Sequence, residues 1–132
     1  MLQFEEYRQR LRALRPEIEE IGAALDLETV DREIAKLEQQ SAEADFWTDL
    51  ANSQKVLQRI KQLKDRKQIF KSLADEADEL DTLCELALEE EDESLDEDAR
   101  SGMAQLEKHI EEVRMQTLLS GEYDRNNAIL SF

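Results

Sequence analysis

One histidine, one cysteine and thirty-three carboxylates are the side chains here that could act as base, nucleophile or metal ligand. His109 stands beside Ile110 with no second histidine to complete a metal pair or a nucleophile–base couple. Its expected place is a solvent-facing or rim position on a helix. Cys84 falls on an apolar stripe and reads as buried filler, because a reactive thiol needs an accessible, electropositive setting. Without a second cysteine there is no internal disulfide, which fits a reducing, cytoplasmic setting. The carboxylates are abundant but fall on convex helix faces, whereas a catalytic pair requires a cleft that drives two pKa values apart. The densest run, Glu89-Glu90-Glu91-Asp92-Glu93, could attract divalent cations loosely, yet it lacks the Asp-x-Asp-x-Asp-Gly spacing of a calcium loop. Glycine-rich phosphate loops and Gly-x-Ser-x-Gly elbows are also missing from the sequence. The sequence therefore predicts no catalytic residue, no cofactor-binding residue and no metal ligand.

The elements that would have to position any site are helices. Phe4, Tyr7, Leu11, Leu14, Ile18, Ile21 and Leu25 follow spacings of three and four, the seam of coiled-coil-like packing. The stripe keeps its phase across Pro16, which predicts a kink within one helix. Gly22 and the potential cap Asp26 predict a turn near 22–27. A second stripe, Leu27, Val30, Ile34 and Leu37, fades before Asp45-Phe46-Trp47, with Thr48 and Asp49 as candidate caps. The two adjacent aromatics read as plugs of a helix junction, the alternative being an exposed anchor for a partner. A third segment, roughly 49–90, carries Val56, Ile60, Leu63, Phe70, Ala74, Ala77, Leu80, Cys84 and Leu88. Ile69, Leu73, Leu83 and Leu86 widen or rotate that stripe. Its acidic end repels a helix C-terminus, and Ser94-Leu95-Asp96-Glu97 has the form of a capping box for a fourth helix. That helix carries Ala99, Met103, Leu106, Ile110, Val113 and Thr117, with Gly121 as the residue just beyond it. The expected fold class is all-α, an elongated antiparallel bundle of about four helices with coiled-coil-like seams and an acidic hairpin tip.

Composition agrees with helices: 38% of the 132 residues are charged and 5% aromatic, with three glycines and one proline. No apolar run approaches the roughly 20 residues of a membrane span, and Met1 leads directly into a charged helical pattern. The net charge of −16 opposes nonspecific nucleic-acid binding, least of all favouring RNA at the acidic end. Its distribution is uneven. Lys55, Arg59, Lys61, Lys64, Arg66, Lys67 and Lys71 occupy a stretch whose one acid is Asp65, while Asp75–Asp98 holds fourteen acids and no base. Each run can be a solvated helix face; alternatively, a basic part and an acidic end meet different surfaces.

The last residues differ from the rest. Ser120-Gly121-Glu122-Tyr123-Asp124 predicts a stop and turn, and Asn127–Phe132 predicts the start of a strand, which needs partners the chain does not supply. The expected organisation is a helical N-terminal domain over 1–119 and, over 120–132, the turn and strand-like start of a further, central domain.

The segment Ser120-Gly121-Glu122-Tyr123-Asp124-Arg125-Asn126-Asn127-Ala128-Ile129-Leu130 resembles one found in the bacterial peptide chain release factor 2 family, within the class I release factors. There a helical N-terminal domain ends in a similar Ser-Gly-Glu-Tyr-Asp segment that leads into a strand and a glycine-rich stretch. Asp45-Phe46-Trp47 ahead of a long helix is a second match, and the acidic hairpin before the last helix a third. Together they cover the chain in order, whereas heptads alone are shared by unrelated bundles.

The resemblance implies a factor that reads UGA and UAA stop codons in the ribosomal A site and triggers peptidyl-tRNA hydrolysis. In that family Ser-Pro-Phe and Gly-Gly-Gln motifs carry those two tasks, and neither occurs here. The implied role is a non-catalytic docking module that reaches towards the base of the large-subunit stalk. Its implied partners are stalk-base proteins of the ribosome, the remaining domains of the factor and the GTPase that recycles it. Where the family often carries a programmed frameshift this chain has Leu25-Asp26. In this reading the acidic tip faces basic proteins, while the 55–71 stretch with Arg8, Arg10, Arg12 and Arg15 turns towards RNA or the factor's own acidic surfaces. The competing class is a freestanding helical adaptor or oligomerising coiled coil. A peptidyl-tRNA hydrolase in its own right is disfavoured by the missing motif.

Overall fold

A computed structural model describes residues 1–119; the predicted turn and strand at 120–132 lie outside the described residues. Four helices make up the fold: α1 (Leu2–Leu25), α2 (Leu27–Ser41), α3 (Leu50–Glu90) and α4 (Asp96–Leu119). Short 3-10 turns over Phe46–Thr48 and Glu93–Leu95 connect the last three. Among the described residues there is no strand, and no helix is long and apolar enough to cross a membrane.

The 41 residues of α3 form a rod of roughly 60 Å, far too long to persist without lateral cover. Cover on one side comes from α1 and α2 laid end to end. Phe4 packs with Cys84 and Ala87, Gly22 meets Phe70, Ile34 packs with Leu63, and Leu37 reaches Val56 and Ile60. Rising numbers on one side against falling numbers on the other make both helices antiparallel to α3. A single residue separates them: Asp26, at φ 54° and ψ 56°, adopts the left-handed conformation that ends α1, and its amide donates to the Ala23 carbonyl. The turn predicted near 22–27 is present, but Gly22 does not make it. Gly22 lies inside α1, where an added Cβ would stand 2.6 Å from Cε1 of Phe70. Its missing side chain allows α1 to approach α3. Pro16 sits within α1, which runs unbroken as one helix.

On the other side α4 returns along the acidic half of α3. Gly102 meets Leu80, and Met103, Leu106 and Ile110 close a core with Leu11, Ile18, Ile21, Leu73 and Ala77. Among the described residues α4 packs on α1 and α3 but not on α2. The antiparallel bundle is therefore three helices thick along the acidic half of α3 and, beyond the last turns of α4 beside residues 62–69, two thick towards the start of α3. The buried face of α3 turns with its neighbours: Leu73 is buried, while Ile69 and Leu86 remain exposed.

Two local expectations change. Phe46 is buried against Val56 and Ile60, but Trp47 is 56% exposed, its ring edge-on to Phe46 at a centroid distance of 4.9 Å. Adjacent side chains on a tight turn cannot both face inward, so one aromatic plugs the junction and the other faces solvent. Ser94 is not the cap of α4. It lies within the Glu93–Leu95 turn, and Asp92 accepts from both its amide and its hydroxyl. Upstream, Asp49 caps α3 as expected, accepting from the Asn52 amide at 3.2 Å.

In a helix interior, glycine to alanine ordinarily stabilises by about 1 kcal/mol through propensity. At Gly22 the Phe70 ring reverses the sign, and Gly22→Ala is expected to destabilise by about 1–3 kcal/mol in chemical denaturation. Phe70→Leu in that background should recover part of the loss; a more stable Gly22→Ala single variant would contradict the packing described here.

Candidate interaction surfaces

Ion pairs join the helices of this bundle in a register of their own. Arg59 donates from Nε and Nη2 to both oxygens of Glu33, at 3.1 and 3.3 Å. Lys64 reaches Glu38 at 2.9 Å and Lys67 reaches Asp31 at 2.6 Å, both across the α2–α3 seam. Lys61 and Lys71 pair one turn along their own helix with Asp65 and Asp75. Along the acidic half, Arg8 meets Asp81 at 3.2 Å, Arg15 meets Asp78 at 2.9 Å, Arg10 meets Glu107 at 2.7 Å and Arg114 meets Glu17 at 2.6 Å. Each such partly solvated pair is worth at most about 1 kcal/mol, so their main effect is to fix which helix lies beside which.

This pairing answers the question raised by the two charge runs. Of the seven cations in 55–71, three are complemented by α2 and two by acids of α3 itself, and Arg8, Arg10 and Arg15 are complemented by α3 and α4. Those arginines are thus not a free basic face. Arg32, Lys36 and Lys55 remain without an ion pair among the described residues, as do Arg12 and Lys108.

At the opposite end the hairpin tip is densely anionic. Glu91 ends α3 in the left-handed region at φ 48°, and its amide and that of Asp92 both donate to the Ala87 carbonyl. Hydrogen bonds from Ser94 hold the Asp92 carboxyl below the usual carboxylate range. Glu89, Glu90, Glu91 and Glu93 are exposed. Among the described residues no group of three or more His, Cys, Asp and Glu side chains converges as a metal site would.

The singled-out nucleophile and base occupy structural positions. Cys84 is fully buried with Phe4, Ala87 and Ala99, and desolvation pushes its thiol pKa up, away from the thiolate. His109 sits on the rim of α4, its Nδ1 2.9 Å from Oε1 of Glu76 on α3. Two features escaped the sequence reading. Tyr7 donates its hydroxyl to Asp96 at 2.9 Å, tying α1 to the first residue of α4, and burial foremost raises its pKa. Gly102 lets Leu80 approach α4, with an added Cβ falling 2.5 Å from Cδ2. A glycine inside an otherwise strong helical pattern was the available signal for the second; the first had none, because it joins residues 89 apart.

Among the described residues the chain is a helical rod with its acidic charge concentrated at the α3–α4 tip. A family profile described as the PCRF domain matches residues 30–132, most of the chain. The chain belongs to the PCRF domain family. It is also similar to curated proteins named peptide chain release factor 2. One from Clostridium perfringens is 39% identical over 99% of this chain and 36% of that protein. Another from Lactiplantibacillus plantarum is 33% identical over 98% of this chain and 34% of its own length. A third from Streptomyces avermitilis is 33% identical, covering 93% of this chain and 33% of that protein. This PCRF chain thus spans about a third of the length of the curated relatives it matches. No solved structure matches it.

Because the Asp92 pKa is lowered by folding, its contribution to the tip is present above the ordinary carboxylate pKa and is lost as pH falls through the lowered value. Acid titration followed by NMR should therefore release the Ser94 amide at a pH below that of an unstructured aspartate. A Ser94 resonance that titrates with an unshifted midpoint would contradict the capping role.

Proposed function

We propose that this chain is the non-catalytic N-terminal module of a cytoplasmic translation termination factor that recognises UGA and UAA stop codons on the ribosome. What carries the reading is similarity to peptide chain release factor 2 along nearly the entire chain, over a third of those proteins. Residues 1–119 form the helical domain of that module, and 120–132 open the central domain of the factor. The chain contains neither Gly-Gly-Gln nor Ser-Pro-Phe, so hydrolysis and codon reading belong to other domains.

The module acts as a handle. Its acidic tip, Glu89–Asp98, lies at one end of the rod, on the 3-10 turn between α3 and α4. Paired cations along the shaft leave the tip as a concentrated anionic surface suited to basic proteins, which we place at the base of the large-subunit stalk. The remaining domains of the factor and its recycling GTPase complete the set of partners. Long-range attraction between such surfaces governs encounter more than residence, so its signature is an association rate that rises as salt falls.

The test is stopped-flow association of the full factor with ribosomes carrying a stop codon. Charge reversal to lysine at Glu89, Glu90, Glu91 and Glu93 should slow association several-fold at low salt and less at physiological ionic strength. Equal rates for the variant and the parent at every salt concentration would remove the tip from the docking step. Truncation to residues 1–132 should abolish peptide release; multiple turnovers by that fragment would overturn the non-catalytic assignment.

A further inference from the structure

Unpaired positive charge is not spread evenly over this acidic rod. Three of the cations left without an ion pair among the described residues, Arg32, Lys36 and Lys55, lie on α2 and the first turns of α3. That is the half of the bundle that α4 leaves uncovered. Helical spacing places Lys55 and Lys36 on the flank crossed by the Arg59–Glu33 pair, while Arg32 lies next to Lys36 on the outward face of α2, where it donates to the Thr29 hydroxyl at 3.2 Å. Lys55, Arg59, Gln62 and Arg66 are separated by four, three and four residues and so form one narrow stripe of α3. Arg59 reaches across this flank to Glu33, and Lys36 follows Glu33 by three residues on the same side of α2, with Arg32 one turn before Lys36. Lys64 and Lys67 reach Glu38 and Asp31 on the opposite flank, where each lysine is matched by a carboxylate. Gln62 and Arg66 also border the last turns of α4, beside Gln116 and Thr117. The stripe therefore starts beside the last turns of α4 and runs past them towards the start of α3.

From this we infer that the flank formed by Arg32, Lys36, Lys55, Arg59, Gln62 and Arg66 is a docking surface for the sugar–phosphate backbone of RNA. The inference rests on the ribosome-binding role proposed above and assigns a second contact, at the end of the rod remote from the acidic tip. Chemistry favours phosphate. The stripe on α3 runs about 16 Å at 1.5 Å per residue and offers lysine, arginine and amide donors along its length. Successive phosphates present anions at short, regular intervals, about 3.4 Å of axis per strand in a duplex, so such a row finds partners without a matched sequence. No aromatic residue interrupts it, which points to backbone contact and not to stacking on bases. Arg59, held by Glu33, and Arg66, which has a polar or electrostatic partner of its own, supply remaining N–H donors in a fixed orientation. Lys36, Lys55 and Arg32 supply the uncompensated charge.

The test places a photoreactive cross-linker in the full factor at Lys36→Cys, at Lys55→Cys, and at Lys61→Cys away from the stripe; Cys84 is buried and stays unlabelled. Bound to ribosomes, positions 36 and 55 should label ribosomal RNA, with position 61 labelling it at least several-fold less. In parallel, the Lys36→Gln, Lys55→Gln double variant should weaken ribosome binding and make log affinity against log salt shallower by about one to two. Labelling of a ribosomal protein from 36 and 55, or an unchanged salt slope, overturns the RNA assignment. So does loss of all cross-linking at 36 and 55 while a probe at Glu90→Cys still labels the ribosome. If the parent factor does not bind ribosomes at all, the underlying reading fails together with this one.

Discussion

Burial of the apolar face of α3 is the constraint on which the other elements depend. A 41-residue helix exposes more apolar surface than any one neighbour can cover, and its side chains present that surface in a slowly rotating direction. The chain meets this with two helices in line, α1 and α2, joined by one left-handed residue, and with α4 against the half where the stripe has turned. Backbone propensity alone would not keep such a helix intact, since α3 carries seven cations at one end and a run of acids at the other.

Charge then selects among the arrangements that burial permits. Apolar stripes at spacings of three and four are interchangeable, and several pairings of four helices would bury similar area. The acids Asp31, Glu33 and Glu38 on α2 meet the cations of α3, while arginines of α1 meet acids of α3 and α4. A misregistered or swapped helix would set like charges opposite one another, which costs more than each native pair contributes. Charge segregation that resembles a binding signal in the sequence is in large part the means by which the bundle specifies itself.

What is left after that pairing defines the outer surface. One end keeps Glu89, Glu90 and Glu91 exposed and the two-helix half keeps Arg32, Lys36 and Lys55 without an ion pair among the described residues, so a chain with a net charge of −16 still presents both signs in separate places. Separation along the rod's length keeps the two signs from cancelling at either end.

Residue types and their periodicity were sufficient for the class of fold, the boundaries of the long helix, the cap at Asp49, the acidic tip, the buried Cys84 and the rim position of His109, because each follows from interactions within a few turns of one helix. The resemblance to release factors was likewise carried by short local segments. Contacts between distant residues were beyond that reading. Whether Phe46 or Trp47 would turn inward, that Gly22 and Gly102 exist to admit Phe70 and Leu80, that Tyr7 would find Asp96, and which cations would be matched all depend on which helix lies alongside. Local sequence specifies each rod and its oily stripe; only packing chooses the partner of every side chain that reaches across, since that choice is made by summed burial and charge over the whole bundle.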